Sequence, residues 1–419
     1  MRTVAKDLYD IGELPPIGEV PARMHAMTVR PDSFGEPTDA IRDEVIDVPE
    51  LGPRDVLVAT MAAGVNFNNV WAARGIPVDV TKSQARWGEP TDFHIVGSDA
   101  SGIVYAVGSD VTTVDVGDHV VVHPGQWDLD DPWVKAGRDP GLAGTFRVWG
   151  YDSCWGSMAQ FTKVQDHQCL PKADHLTWEE AAAPTLTGGT AYRMLFGWAP
   201  NIVQPGDPVL VWGGSGGLGS LAIQLVANAG GRAVAVVSSD EKGEYCKTLG
   251  AAGFINRKAF DHWGVPPAWD SPEWKGWFDG AKGFGKAFWE ALGEKASPRI
   301  VFEHPGQETI PTSNFVCDRG GMIVICAGTT GYDTMIDVRY LWFMQKRYQG
   351  SHLMNDEQAI AFNDLVRERR IKTTLGHTYR YEEAGLVHQL MGDGSLPEGN
   401  VAVLINAPEP GLTGLPATG

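Results

Sequence analysis

Val209–Gly230 reads VLVWGGSGGLGSLAIQLVANAG, an apolar run that breaks into five glycines and one serine and resumes as a helical pattern. A strand, a tight glycine turn and an amphipathic helix in that order predict the dinucleotide-binding turn of a parallel sheet. The glycines permit the turn, let backbone N–H groups approach a pyrophosphate, and let the helix lie close on the sheet. The residues assigned to this contact are Gly214, Ser215, Gly216, Gly217, Leu218 and Gly219. A structural glycine turn would explain the glycines alone, but not the strand and helix on either side or the second strand, RAVAVVSS, at the expected distance.

That second strand selects the cofactor. An NAD site usually ends it with Asp or Glu about 20 residues after the glycines, to bind the ribose hydroxyls. Here it ends Val237-Ser238-Ser239, with Lys242 just beyond. Ser238, Ser239 and Lys242 can hold a 2′-phosphate that a carboxylate would repel, so the reading is NADPH. The competing reading makes Ser238 and Ser239 helix caps and gives the ribose to Asp240.

Working outward, PVLVWGG, RAVAVVSS, GFINR, RIVFEH and GMIVICAG alternate with helical or loop segments, which predicts a doubly wound α/β Rossmann domain. Before it, MHAMTVRP, DVLVATMAAGVN, ASGIVYAVG, DHVVVHPG and SMAQFTKV are short strands between Gly, Pro and Asp clusters, which predicts an antiparallel, barrel-like domain. The predicted layout is a catalytic domain over 1–195 and 366–419 with the cofactor domain over 196–365. Within the latter, about 259–297 reads as a Trp-rich insertion with short helices whose aromatics pack on a neighbouring domain or subunit. A helix is expected near Asp356–Arg370 and a last strand at VAVLINA.

Composition limits the partners. With 52 acidic and 34 basic side chains and a net charge of −18, nucleic acid and anionic membranes are disfavoured, and any anionic ligand needs a local basic patch. The five cysteines, scattered and without Cys-x-x-Cys spacing, read as reduced thiols. Met1–Pro21 lacks the apolar core of a signal peptide, and no stretch approaches the roughly 18 apolar residues of a membrane helix. The expectation is a soluble, cytoplasmic protein.

No metal is expected. Zinc-dependent dehydrogenases of this architecture carry Gly-His-Glu and an early Cys, where this chain has Gly97-Ser98-Asp99 and Asn66. His119 and His123 lie in a strand pattern that holds them roughly 13 Å apart, too far for one ion. For these, and for His94 and His304, a surface or hydrogen-bonded core role is expected.

Nearly the whole chain resembles the crotonyl-CoA carboxylase/reductases of the medium-chain dehydrogenase/reductase superfamily. The resemblance runs from KDLYDIGELPPIGEVP through AAGVNFNNVWAARG, HIVGSDASGIVYAVGSDV and LTWEEAAAPTLTGGTAYRMLFG to DVRYLWFMQKRYQGSH and GNVAVLINAP. It implies a GroES-like β-barrel catalytic domain beside the Rossmann domain. It also implies a zinc-independent reaction in which NADPH reduces an enoyl-CoA thioester and the resulting enolate takes up carbon dioxide, giving an alkylmalonyl-CoA of the kind used as a polyketide extender unit. The implied carbon dioxide site maps onto Asn68, Tyr151, Asp152 and His352, with Asp152 where the family usually has Glu. Arg339, Lys346 and Arg347 are candidates for CoA phosphates, with Lys258 and Lys282 behind them, and Gly188 and Gly189 are candidates for leaving acyl room. A homodimer or homotetramer is expected. The alternatives are an enoyl-CoA or quinone reductase without carboxylation, and a non-catalytic NADPH-binding protein.

Overall fold

In the computed structural model, which describes residues 6–415, the predicted nucleotide-binding strand Pro208–Trp212 (β1) is the third strand of a six-stranded parallel sheet. The others are Arg232–Val237 (β2), Gly253–Asn256 (β3), Ile300–Glu303 (β4), Met322–Ile325 (β5) and Arg347–Gly350 (β6), in the order β3-β2-β1-β4-β5-β6. The chain direction across the sheet reverses between β1 and β4, the position where doubly wound sheets bind their ligands. Strand β6 was not anticipated. RYQG is only partly buried at the sheet edge, so it lacks the continuous apolar run that marks the inner strands.

The Trp-rich segment is not an insertion that packs elsewhere. It forms one long helix, Trp274–Leu292, after an irregular stretch. Trp277, Ala281, Phe284, Phe288 and Leu292 recur at helical spacing, and Phe284, Phe288 and Leu292 share one core with Leu210, Trp212, Val234 and Ile255 of the sheet. Trp212 stacks on Phe284 at 5.4 Å, and Trp263 meets both rings edge-on. Four glycines weaken this helix intrinsically, each by about 1 kcal/mol. The buried aromatics, at about 1.5–3 kcal/mol each, outweigh that cost.

A second unit surrounds the long strand Asp55–Gly64. This strand pairs antiparallel with Ala100–Val107, Phe161–Gln165 and Asn400–Leu404, so the chain's last strand returns to the sheet of its first half, as predicted. A smaller sheet joins Arg42–Asp47, Arg23–Val29 and His94–Ile95. The compact units are Met1–Gly189 with Leu353–Gly419, and Thr190–His352. The return to the first unit therefore comes at Leu353 and not at residue 366. The helix Asp356–Arg367 packs Phe362 against Gly188 and ties Asp356 to His123 and His167, all in the first unit. The first residues of the segment read for a leader, 1–5, lie outside the described residues. No helix among the described residues is long and apolar enough to cross a membrane.

Candidate active site

The parallel-sheet unit carries the cofactor loop. Gly213 follows β1 with a positive φ of 59°, and a Cβ there would lie 2.4 Å from the His304 ring. A Cβ on Gly219 would meet the Gly213 carbonyl oxygen at 2.3 Å, so only glycine lets the helix Gly217–Asn228 approach the turn. Gly216 is that helix's cap residue in extended conformation, which leaves the first-turn N–H groups of Gly217, Leu218 and Gly219 for an anion.

At the end of β2, Ser239 caps the helix Asp240–Thr248 by accepting from the Lys242 N–H at 3.4 Å. Half of the competing reading is thus present, and the Ser239 hydroxyl also donates to the Glu241 carboxylate, which helps hold that group below its ordinary range. Asp240 accepts from the Asn256 amide at 2.9 Å. Ser238 directly follows β2, and Lys242 lies in the first turn of the helix that Ser239 caps. The set suits a 2′-phosphate, since it supplies hydroxyls and one cation.

In the first unit, three asparagines at the start of the helix Phe67–Arg74 hold the loop Gly97-Ser98-Asp99. Asn66 donates to Asp99 at 3.0 Å, Asn68 to Ser98 at 2.8 Å, and Asn69 accepts from the Gly97 N–H at 3.0 Å. Asp99 is fully buried and also accepts from the Leu186 N–H at 2.7 Å. Burial drives its carboxyl well above the ordinary carboxylate range, against the pull of those two hydrogen bonds. Asn66 is therefore committed to Asp99. Asn68 keeps a buried Oδ1, and Asn69 a buried Nδ2, that have no partner among the described residues, so these two asparagines have hydrogen-bonding capacity left over.

Tyr151 is half-buried against the cluster that includes Val65, Val96 and Met158, the same core that backs the Asn68 helix. Asp152 accepts from the Val148 N–H at 2.8 Å, so its shorter side chain turns one oxygen onto its own loop. His94, fully buried, contacts the Gly150 carbonyl at 3.2 Å, and burial pushes its imidazole down to about 4. His352 is exposed and is the last residue of the other unit.

Several assignments need correction. A Cβ on Gly188 would fall 2.0 Å from the Phe362 ring, and one on Gly189 would fall 2.3 Å from the Met354 sulfur. These glycines admit the chain's own side chains and leave no acyl room. Lys346 is buried and donates to the Asn314 and Phe315 carbonyls; Arg347 donates to those of Trp198 and Ala199. Both cations are occupied with backbone oxygens and are not free for CoA phosphates. Arg339 is half-exposed but doubly bonded to Asp337, and Lys282 is paired with Asp279 at 2.8 Å.

Sequence reading also missed a cluster. His123 Nε2 and His167 Nδ1 each lie 2.9 Å from the same oxygen of Asp356. Burial raises the Asp356 carboxyl, but hydrogen bonds from the two rings outweigh it and hold the group far below its usual range. Two histidines and a carboxylate could ligate an ion, yet here they bond to one another. His167 and Asp356 are nearly 190 positions apart, so no local spacing reveals the contact.

Family models place residues 52–174 in the alcohol dehydrogenase GroES-like domain and 217–368 in the zinc-binding dehydrogenase family. The chain is 49% identical over 407 residues to a crotonyl-CoA carboxylase/reductase of Cereibacter sphaeroides, covering 97% of this chain and 93% of that one. Among solved structures, a crotonyl-CoA carboxylase/reductase in complex with NADP superposes with a TM-score of 0.92 at 52% identity, covering 96% of this chain and all of the other. A 2-octenoyl-CoA carboxylase reductase in complex with NADP and 2-octenoyl-CoA matches at a TM-score of 0.86 and 37% identity, covering 94% of this chain and 90% of that one.

Proposed function

The chain belongs to the crotonyl-CoA carboxylase/reductase family, and from that membership we propose that it is an NADPH-dependent oxidoreductase converting an α,β-unsaturated acyl-CoA and carbon dioxide into an alkylmalonyl-CoA. NADPH, when bound, supplies the hydride to the β-carbon of the thioester. The enolate so formed attacks carbon dioxide through its α-carbon. What remains for the protein is to position the reactants, stabilise developing charge and keep out water that would protonate the enolate.

Gly217, Leu218 and Gly219 face the pyrophosphate through backbone N–H groups, while the Gly216 N–H holds the turn by donating to the Gly213 carbonyl at 3.1 Å, and Ser238, Ser239 and Lys242 meet the 2′-phosphate. Asn68 directs an amide N–H at an oxygen of carbon dioxide as it becomes a carboxylate. Tyr151 supplies an apolar wall and Asp152 a carboxylate; His352, at the end of the parallel-sheet unit, is the fourth residue the family resemblance implies. The observation that carries this reading is the Asn68 amide nitrogen, which spends one of its two N–H groups on Ser98 at 2.8 Å and keeps the second as a donor. A zinc ion does not fit at the corresponding place. The Asn66 amide and Ser98 hydroxyl are already bonded to Asp99 and Asn68, and neither is a zinc ligand type. The reaction is accordingly zinc-independent.

The substrate is crotonyl-CoA or a longer 2-enoyl-CoA, the product serves as an extender unit for polyketide assembly, and the enzyme is cytoplasmic. Exposed Val338, Trp342 and Phe343 near the sheet-edge strand β6 support assembly into a homodimer or homotetramer. The deciding experiment supplies NADPH, a panel of enoyl-CoA thioesters and labelled bicarbonate. Label is expected in an alkylmalonyl-CoA. Equal yields of saturated acyl-CoA with and without bicarbonate would instead establish a plain reductase, the reading favoured by the withdrawal of one Asp152 oxygen onto Val148.

A further inference from the structure

Ser98 occupies a place where its side chain has one job. It is fully buried, and among the described residues its hydroxyl has a single hydrogen-bond partner, the Asn68 amide at 2.8 Å. The backbone on either side is pinned, since Asn69 accepts from the Gly97 N–H and the Gly64 N–H donates to the Asp99 carbonyl at 3.1 Å, while Asn66 holds the Asp99 side chain. Gly97 adopts a φ of 109°, and a Cβ there would fall 2.2 Å from the Ser157 oxygen, so the turn that presents Ser98 has little room to shift. A rigid hydroxyl thus faces an amide that gives it one N–H and keeps a second, and whose buried Oδ1 has no partner among the described residues.

We propose that Ser98 is a positioning residue for carboxylation: its hydroxyl fixes the rotation of the Asn68 amide and thereby aims the remaining amide donor at carbon dioxide. The inference rests on the reading of Asn68 given above. A hydroxyl can accept from the amide nitrogen or donate to the amide oxygen, so it anchors either end of the group. With the anchor in place, one or two N–H bonds point away from Ser98. Without it, the amide rotates about its last torsion, which is broad and shallow for asparagine, and the donor is aimed only part of the time. Hydride transfer does not use this donor. Loss of aim therefore shows in the fate of the enolate, which either gains carbon dioxide or takes a proton from water.

The test measures the ratio of alkylmalonyl-CoA to saturated acyl-CoA at a fixed, subsaturating bicarbonate concentration. Both products descend from the same hydride transfer, so a general loss of folded enzyme leaves the ratio where it was. Ser98→Ala is expected to lower the ratio by about threefold to tenfold, the range of one neutral hydrogen bond. Asn68→Ala should lower it at least as far, and the double variant should match Asn68→Ala alone, because Ser98 has nothing left to position. A wild-type ratio in Ser98→Ala beside a reduced one in Asn68→Ala would overturn the inference while sparing the role of Asn68. Independent, multiplying effects in the double variant would overturn it as well. An unmoved ratio in Asn68→Ala would remove the role of Asn68 and the inference with it. Should Ser98→Ala not fold, Ser98→Cys keeps the volume with a weaker donor, and a smaller fall in the ratio is then expected.

Discussion

Glu303 closes β4 with a fully buried carboxyl group beside the cofactor loop, and its replacement by Gln yields a crossing of two stability curves. One oxygen accepts from the Ser313 hydroxyl at 2.8 Å and the other from the Gly306 N–H at 3.3 Å, while Trp212 donates to the same Ser313 oxygen at 2.9 Å. Burial pushes the carboxyl from 4.5 up to about 7, against the hydrogen bonds from Thr309 and Ser313 that pull it down. Between these two values the folded chain holds a proton that the unfolded chain has released, so stability falls as pH rises through that window. The displacement corresponds to about 3 kcal/mol in total, at 1.36 kcal/mol per pH unit. Gln keeps the volume and one acceptor but removes the titration, at a cost of about 1 kcal/mol for the weakened Gly306 contact. Glu303→Gln is thus expected to be the less stable protein at pH 5 and the more stable by about 2 kcal/mol at pH 8. The assay is the melting temperature of the full chain, wild type against variant, from pH 5 to 8.5. Parallel curves would refute the reasoning, since they would mean that Glu303 ionises in the fold as freely as in water.

Gly219→Ala places a methyl 2.3 Å from a backbone oxygen that cannot move aside, so NADPH affinity by fluorescence titration should fall about tenfold or more, as for overpacking of about 1–3 kcal/mol. Gly216→Ala meets nothing closer than 3.6 Å and should leave the melting temperature near wild type, whereas Gly219→Ala lowers it. Gly188→Ala should destabilise the fold by about 1–3 kcal/mol in chemical denaturation, with Phe362→Leu in the same chain recovering part of the loss, because the two side chains compete for one space. Asp356→Asn keeps an acceptor but loses the charge that both histidines face. Its expected cost at neutral pH is about 1 kcal/mol, reduced by the carboxyl's partial exposure, and the gap from wild type should narrow in acid as the wild-type carboxylate is protonated. Asp152→Glu restores the methylene this chain lacks and should raise the carboxylated share of product at low bicarbonate; an unchanged share would separate Asp152 from carbon dioxide handling.

The linear sequence determined whatever depends on near neighbours along the chain. The glycine loop and the apolar inner strands of the parallel sheet are local patterns, because period, turn residues and flanks fix them. The expectation of NADPH was equally local, since it rested on Ser238 and Ser239 directly after the strand that ends at Val237. Only the folded chain could say where a side chain spends its hydrogen bonds. Asn66 and Asn68 are alike in sequence, and the contacts with Asp99 and Ser98 separate them. Lys346 and Arg347 look like free cations until carbonyls from distant segments occupy them, and Gly188 and Gly189 look like open space until Phe362 and Met354 fill it. The aromatics of Trp274–Leu292 show a helical stripe but not the surface it covers, which proved to be their own sheet. Periodicity encodes which face is apolar, whereas the partner across that face is set by long-range packing that no single stretch of residues contains.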